Sequence, residues 1–438
     1  MTEFVSRRAL LTALGTGALA PAAVGAQGFY SGTAPPASTE LWNWTRAQLV
    51  LEPQAVWLDT AAFGPTLRAA LVMEYRRLEQ RSQSFRRYQQ QALSGDALRR
   101  MLTRAAAFLG AQPDDLAFTA GATDGLNLLA RGIDLVQGDE VVTTTHDHPA
   151  AVYPWLLEAK RRGVKVIQLP QPGVNANPSE IVGRFAAALT PRTRVVSFAH
   201  VQYTDGTVMP VREICTLARQ KGALSIVDGA QAPGMLDFRI DQLGCDCYAT
   251  SFHKWVSAPY GTGALYVGRE ARSRIWPLVV DRAAGWDSAD RFGTSPLPAQ
   301  DAQPAWPETQ ARFGQMSRLS GPTLESIEVA LDFQRAVTPA RVNARIRDLS
   351  IYLRLKLKAL SGVQVLSPTH ASLSSGIVSL RAAGRDHAEI AESMAREDGI
   401  FVGHVAHGSA FDALRVSVHA HNTHAELDRF VVALQRRL

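Results

Sequence analysis

Apolar residues recur along this chain at two different spacings. From about Leu116, short apolar runs typical of β-strands alternate with longer segments in which apolar residues return at helical intervals. The predicted strands are 116–119, 140–144, 164–169, 194–200, 223–228, 248–251 and 263–267. Two predicted helices, 67–81 and 96–109, precede these strands, and two more, 150–162 and 179–189, lie between them. Strands that alternate with helices indicate βαβ units and a mostly parallel sheet.

The last third of the chain predicts a second, smaller α/β unit. A long helical region covers 323–360 and is interrupted at Pro339. The remaining predicted elements are strands near 377–381 and 414–418 and helices over 386–397 and 424–438. The predicted fold class is therefore α/β, with a large, mostly parallel mixed-sheet domain followed by a smaller C-terminal α/β domain.

The first 27 residues have the layout of an export signal. Arg7 and Arg8 precede a short apolar run over 9–19, and small residues follow at 24–26. The run is too short and too rich in Gly and Ala to span a membrane. Ser6, Arg7 and Arg8 resemble the start of a twin-arginine signal, with Leu10 where Phe is usual. An ordinary secretion signal and a basic N-terminal tail are the alternatives.

We therefore expect the twin-arginine export machinery as a partner and the periplasm as the location. No later segment has 18 or more apolar residues in a row, so we expect no stable membrane anchor.

The composition excludes several classes of protein. Of 438 residues, 46% are hydrophobic, which is enough for a folded core and excludes a disordered chain. The net charge of +6 is spread along the sequence without a dense Lys/Arg run, which argues against a nucleic-acid-binding protein. Cys215, Cys245 and Cys247 are too few for a disulfide framework, and we expect the last two to be inert core thiols.

Lys254 is the first candidate for chemistry. It follows an apolar strand and stands between His253 and Trp255, where partial desolvation would lower its pKa. A neutral amine can attack an aldehyde and form a Schiff base. The alternative is a loop lysine whose ammonium group reaches water.

Asp228 and the segment 118–127 add two further signals. Asp228 ends a buried strand, at the sheet edge where α/β proteins bind ligands, and it could keep a pyridine nitrogen protonated. Alternatively, it caps a helix or a turn. In 118–127 a strand turns into a helix through small residues, and free N–H groups with the Thr123 hydroxyl would bind an anion. A tight turn capped by Thr explains this segment nearly as well.

Three segments, VDGAQ (227–231), SFHKW (251–255) and GTGALYV (261–267), resemble the class V aminotransferase group of fold type I pyridoxal-phosphate enzymes. That group includes cysteine desulfurases, isopenicillin N epimerase-like proteins and some twin-arginine-exported relatives. The resemblance covers roughly residues 55–438. It implies pyridoxal 5'-phosphate (PLP) as cofactor and a homodimer. Our predicted division is a signal over 1–27, an arm joining the small domain over 28–64, a large cofactor-binding domain over 65–320 and a small domain over 321–438.

The resemblance also implies a role for each matching residue. Lys254 would bind the cofactor aldehyde and later move the α-carbon proton, and Asp228 would pair with the pyridine nitrogen. Gln231 would lie near the phenolic oxygen, and His148 would stack on the ring. The phosphate would be bound by Ala122, Thr123, Ser251 and His253.

Three further residues would contact the substrate. Arg415 would bind a substrate carboxylate. Tyr203 and Arg318 are predicted as additional contacts, and Arg318 would reach the site of the other subunit of a dimer. The alternatives are a helix cap for His148 and a surface salt bridge for Arg415.

One departure from the family pattern and one cluster of histidines bear on the reaction. Desulfurases carry a nucleophilic cysteine on a mobile loop, whereas residues 403–409 contain none, so we predict that persulfide chemistry is excluded. His419 and His421 are predicted to share a strand face within a cluster of histidines over 404–424. We expect solvated or substrate-contacting histidines there rather than a metal site.

The predicted function is that of a periplasmic PLP-dependent enzyme acting at the α-carbon or amino group of an amino acid or a peptide-linked residue. It would be aminotransferase-like, and its resemblance to enzymes that modify the glutamate side chain of pyoverdine suggests siderophore tailoring. The alternatives are an amino-acid epimerase, a carbon–sulfur lyase and, outside enzymes, a cofactor-free binding protein.

Overall fold

The structure is a computed structural model that describes residues 35–36, 40–92, 95–170, 172–278, 309–314, 320–407 and 411–438. The predicted export signal and Arg318 lie outside the described residues. The strands are β1 (Val56–Trp57), β2 (Leu116–Thr119), β3 (Glu140–Thr144), β4 (Lys165–Leu169), β5 (Thr193–Ala199), β6 (Leu224–Asp228), β7 (Cys247–Ser251), β8 (Gly263–Val267), β9 (Val363–Val365), β10 (Ile377–Ala382), β11 (Ile400–Phe401), β12 (Gly403–His407) and β13 (Phe411–Ser417).

The α-helices are α1 (Leu41–Ala47), α2 (Arg68–Gln83), α3 (Phe85–Ala92), α4 (Gly95–Leu109), α5 (Ala122–Gly132), α6 (Pro149–Arg162), α7 (Pro178–Ala188), α8 (Val211–Gln220), α9 (Ile240–Leu243), α10 (Thr309–Phe313), α11 (Gly321–Val337), α12 (Pro339–Lys358), α13 (His387–Ser393) and α14 (His424–Gln435). No helix in the described ranges combines the length and the apolar character needed to cross a membrane.

A seven-stranded sheet forms the large domain, in the order β2-β8-β7-β6-β5-β3-β4. The pairs from β7 to β4 are parallel, and β8 is antiparallel to both of its neighbours. β6 and β7 are buried along their whole length because helices cover both faces of the sheet. The carboxyl ends of β5, β6 and β7 therefore meet at one edge, as the pattern of alternating strands and helices predicts.

The small domain contains a four-stranded antiparallel sheet in the order β12-β13-β10-β9. Its core includes buried residues of α12 and α14, among them Leu349, Leu353 and Phe430. β1 pairs with β11, and this places Val56 and Leu58, which precede the large domain in sequence, in the core of the small domain.

The predicted strands and helices are confirmed to within three residues of their observed bounds, except that the helix predicted over 386–397 is α-helical only to Ser393 and continues as a π-helix over Met394–Asp398. The predicted break at Pro339 is also confirmed, because α11 ends at Val337 and α12 begins at Pro339. Several short elements lacked a readable pattern, including α1, α3 and β12. The prediction for His419 and His421 is wrong, because β13 ends at Ser417 before either residue is reached.

Candidate active site

A cavity of about 490 Å³ opens at the carboxyl ends of β5, β6 and β7. This volume is typical of small-molecule sites. Nine of the residues predicted from the sequence line it: Ala122, Thr123, His148, Tyr203, Asp228, Gln231, Ser251, His253 and Lys254. These residues come from five separate segments of the chain, so the fold brings the predicted site together.

Lys254 lies three residues after the end of β7. Burial lowers the pKa of its amine from 10.5 to about 8, against the opposing effect of the Asp228 carboxylate. Gly64 of the N-terminal arm packs against its backbone, and a Cβ at Gly64 would lie 1.7 Å from the Lys254 carbonyl oxygen. A substantial fraction of the amine is therefore neutral near pH 7 to 8, as a nucleophile requires.

Asp228 ends β6 and is buried. Its Oδ1 accepts a hydrogen bond from the Ala230 N–H at 2.9 Å, which is the one side-chain bond found for this carboxylate among the described residues. Burial raises its pKa, and the positive charge of Lys254 lowers it. The turn role that was the alternative is thus present, but a buried carboxylate with one neutral donor also calls for a cationic partner.

An anion-binding cradle forms where β2 turns into α5. Gly121 precedes this helix with φ +147°, and a Cβ there would lie 3.3 Å from Ser251 Oγ and 3.4 Å from His253 Cε1. Ser251 Oγ accepts from the Ala122 N–H at 3.0 Å, and the Thr123 side chain is exposed to the cavity. A glycine at this position keeps the helix N-terminus open to an anion such as a phosphate.

His253 lies at the same cradle. Its Nδ1–H donates to the Thr262 carbonyl at 3.3 Å, and burial lowers its pKa to about 4. The neutral ring therefore has no proton on Nε2, so His253 donates to an anion through that nitrogen only after taking up a second proton.

The helix-cap alternative for His148 is present in the structure. His148 caps α6, because its Nδ1 accepts from the Ala150 N–H at 3.1 Å, and it also lines the cavity. Burial lowers its pKa to about 4, helped by the positive charges of Lys254 and Arg415. The ring is neutral at physiological pH with its proton on Nε2, and its edge packs on Tyr203 at 4.9 Å between ring centroids.

Asp147 is a site residue that the sequence interpretation missed. This buried carboxylate accepts from the Thr143 hydroxyl (2.7 Å), the Thr144 N–H (2.8 Å) and the Ala199 N–H (2.8 Å). It therefore ties the end of β3 to the end of β5 and fixes the turn that carries His148. The signal available in the sequence was an acid directly before a histidine at a strand end.

Arg415 lies beside the cavity rather than among the residues that line it. Its Nη2 forms an ion pair with Asp59 Oδ1 at 2.9 Å, and its Nη1 donates to the Tyr203 carbonyl at 3.2 Å. The salt-bridge alternative is present, but the pair is buried rather than on the surface, with 8% of the Arg415 side chain exposed. Asp59 was also missed, since its partner lies 356 residues away in sequence.

Gln231 is fixed by two bonds within the protein. Its Nε2 donates to the Ala61 carbonyl at 2.9 Å, and its Oε1 accepts from Trp255 Nε1 at 2.7 Å. One N–H of the amide has no partner among the described residues and can point into the cavity.

His419 and His421, which follow β13, are buried within the protein. His419 Nε2 donates to the Trp255 carbonyl at 3.0 Å, and the Nδ1 atoms of His419 and His421 lie 3.1 Å apart. Both rings are buried, so the expectation of solvated or substrate-contacting residues is wrong for this pair. In the described part of the chain, no group of three or more His, Cys, Asp or Glu is arranged to hold a metal ion.

The three cysteines are buried and unpaired, and none of them lines the cavity. Burial raises the pKa of Cys215 to about 12 and raises those of Cys245 and Cys247 as well. Their thiols are therefore protonated and poor nucleophiles, in agreement with the expectation of core thiols at Cys245 and Cys247.

The residues of the cavity suit three parts of PLP: its aldehyde, its ring nitrogen and its phosphate. Lys254 offers an amine for the aldehyde, the under-bonded carboxylate of Asp228 suits a protonated ring nitrogen, and the N-terminus of α5 suits the phosphate. Fold and cavity together define a fold type I PLP-dependent enzyme.

The chain belongs to the aminotransferase class-V family, which it matches over residues 56–281. It is 31% identical over 397 residues to isopenicillin N epimerase of Streptomyces clavuligerus. This alignment covers 90% of this chain and 97% of that protein. A cysteine desulfurase of Cronobacter sakazakii is 28% identical over 360 residues, covering 78% of this chain and 84% of the other.

Solved structures share the fold. A mutant of the cystine C–S lyase C-DES, with glycine covalently linked to its PLP cofactor, superposes with a TM-score of 0.76 at 23% identity, and the match covers 90% of this chain and 99% of the other. The apo cysteine desulfurase of Thermococcus onnurineus gives a TM-score of 0.76 at 20% identity, with coverage of 93% and 98%.

Proposed function

We propose that this enzyme breaks a bond at the α-carbon of an amine substrate, either an amino acid or an amino-acid residue linked to a peptide. The observation that carries the proposal is the joint placement of Lys254 and Asp228. They line one cavity, and each charge shifts the pKa of the other group.

Each residue of the cavity has a physical role in this reaction. When bound, PLP supplies a ring that accepts electrons from the substrate's α-carbon. Asp228 holds the proton on the ring nitrogen because its buried carboxylate is otherwise short of donors. Lys254 Nζ is partly neutral near pH 8 and takes the proton from the α-carbon. His148 lines the cavity, and its neutral ring would pack against the bound cofactor and exclude water without adding a charge.

The test is a spectroscopic titration of the apoprotein with PLP. We expect wild type to develop the visible band of a lysine-bound cofactor, Lys254→Ala to lack it, and Asp228→Asn to keep the band but lose turnover by on the order of a hundredfold. Lys165→Ala is the control, because this lysine lies on β4 away from the cavity. A wild-type protein that never develops the band would refute the proposal.

The lead reaction is amino-group transfer, and epimerisation is the second candidate. Epimerisation is favoured by the 31% identity to isopenicillin N epimerase along almost the whole of that protein. Candidate substrates incubated in D₂O separate the two reactions. An aminotransferase yields a keto acid, whereas an epimerase yields the inverted, α-deuterated amino acid without a keto acid.

Persulfide transfer is not proposed. Residues 403–413 contain no cysteine, and the three thiols of the chain are buried away from the cavity. We expect no cysteine-dependent sulfur transfer to a thiol acceptor, and we expect Cys215→Ala, Cys245→Ala and Cys247→Ala to keep turnover. Loss of activity in one of these variants with an intact fold would contradict this.

We further propose that the enzyme is exported through the twin-arginine pathway, acts in the periplasm as a homodimer and modifies an amino-acid side chain of a pyoverdine-type siderophore. Residues 1–27 support the export step, since Arg7 and Arg8 precede an apolar run. Changing Arg7 and Arg8 to Lys should retain the protein in the cytoplasm. Light scattering of the purified protein tests the homodimer and should give twice the mass of one chain. Mass spectrometry of siderophore intermediates incubated with the enzyme tests the substrate.

A further inference from the structure

The Arg415 guanidinium is already occupied in the resting protein. Asp59 Oδ1 accepts from Nη2 at 2.9 Å, the Tyr203 carbonyl accepts from Nη1 at 3.2 Å, and Nε is buried with no hydrogen-bond partner among the described residues. A carboxylate is gripped best by two parallel N–H groups on one edge of the guanidinium. Asp59 and the Tyr203 carbonyl therefore engage two of the five guanidinium N–H groups, and a substrate carboxylate at Arg415 competes with Asp59 for Nη2.

The backbone next to Asp59 is fixed, so that only the side chain has to move when Asp59 leaves Arg415. The preceding residue, Leu58, accepts from the Ser417 N–H at 2.6 Å and donates to the Phe401 carbonyl at 2.9 Å. Gly403 packs on the pair, and a Cβ there would lie 2.9 Å from Asp59 Oδ1 and 3.2 Å from Arg415 Nη2. With 20% of the Asp59 side chain exposed, the pair is a built part of the site rather than a mobile surface contact.

The negative charge of Asp59 repels a second carboxylate at Arg415. It neutralises the positive charge of Arg415. Asp59 raises the pKa of Lys254, whereas Arg415 lowers it. A substrate carboxylate approaching Arg415 would meet a like charge unless Asp59 moves away.

We propose that Asp59 is a specificity-determining residue that occupies Arg415 in the resting protein, so that a substrate carboxylate binds there only by displacing it. The inference rests on the proposed function, which assigns the substrate to this cavity. Asp59 thereby weakens the binding of simple carboxylates and favours ligands that gain enough contacts elsewhere in the cavity to displace it.

The experiment compares two probes of equal shape, propionate and propionamide, binding to the PLP-loaded enzyme by calorimetry. In Asp59→Asn the amide oxygen can still accept from Arg415, but the competing charge is gone. We expect propionate to bind this variant about tenfold more tightly than wild type and propionamide to bind both equally. Asp59→Glu should restore the weak propionate binding of wild type.

Asp115→Asn is the matched control, because Asp115 pairs with Arg272 at nearly the same exposure, 20% and 9%, away from the cavity. It should leave propionate binding unchanged. Equal or weaker propionate binding by Asp59→Asn, with the cofactor band intact, would overturn the role of Asp59. Absence of the band in wild type would instead overturn the proposed function.

A second measurement does not depend on the variant. In wild-type crystals saturated with propionate, we expect the propionate carboxylate on Arg415 and Asp59 moved away from it. If Arg415 keeps its bond to Asp59 at saturation, the inference is wrong.

Discussion

The charge state of Lys254 depends on residues from distant parts of the chain. Burial lowers its pKa, the carboxylates of Asp228 and Asp59 raise it, and Arg415 lowers it. Lys254 and Asp228 were predictable because Asp228 ends one apolar strand of the sheet and Lys254 closely follows the next. Asp59 was not, because its ion pair with Arg415 is a long-range contact that leaves no local pattern.

Replacing Lys254 with Met should stabilise the cofactor-free protein below pH 8. The folded-state pKa of about 8 lies below the ordinary 10.5, so the unfolded chain binds more protons between these values and wild-type stability rises with pH there. We expect Lys254→Met to be more stable at pH 7 by roughly 1 to 3 kcal/mol, with the difference closing towards pH 10.5. Urea unfolding at several pH values measures this, and a gap that does not change with pH would contradict it.

The helices and strands of the large domain were predictable because each apolar run is long enough to show its period. β12 was not, since GHVAH has no clear alternation of apolar and polar residues, and its pairing with β13 decides its structure. The N-terminus of α5 was a weak signal in the sequence. Its role becomes clear only when β7 brings Ser251 against it.

Gly121→Ala should weaken PLP binding by about tenfold or more. The alanine would have to adopt a strained φ of +147°, and its Cβ would crowd Ser251 Oγ in the phosphate cradle. Gly173→Ala is the matched control, because Gly173 also has a positive φ of +94° but no atom of the described residues lies within 4 Å of the added Cβ. Fluorescence titration with PLP gives both affinities, and equal weakening in the two variants would show that strain alone, not the cradle, is responsible.

The N-terminal arm joins the two domains at the site. Val56 and Leu58 lie in the core of the small domain, Asp59 pairs with Arg415, and the Gly64 N–H donates to the His253 carbonyl at 3.1 Å. The sequence predicts an arm that joins the small domain. It does not predict that the arm packs on the backbone of Lys254, because that contact depends on how the two domains meet.

Leu58→Ala should therefore destabilise the whole protein. Leu58 is fully buried, and truncation of such a side chain costs about 2 to 5 kcal/mol. Leu355→Ala, at a position that is 64% exposed, should cost less than about 0.5 kcal/mol. Thermal unfolding checks both, and a Leu58→Ala midpoint equal to wild type would show that the arm does not contribute to the fold.

The most direct check of the site is to find which lysine binds the cofactor. PLP-loaded enzyme is reduced with borohydride, digested and mapped by mass spectrometry, with Lys254→Arg and Lys165→Arg treated in parallel. We expect the reduced cofactor on the peptide that contains Lys254 in wild type and in Lys165→Arg, and on no peptide in Lys254→Arg. A label on another lysine, or none in wild type, would contradict the assignment of this cavity as the active site.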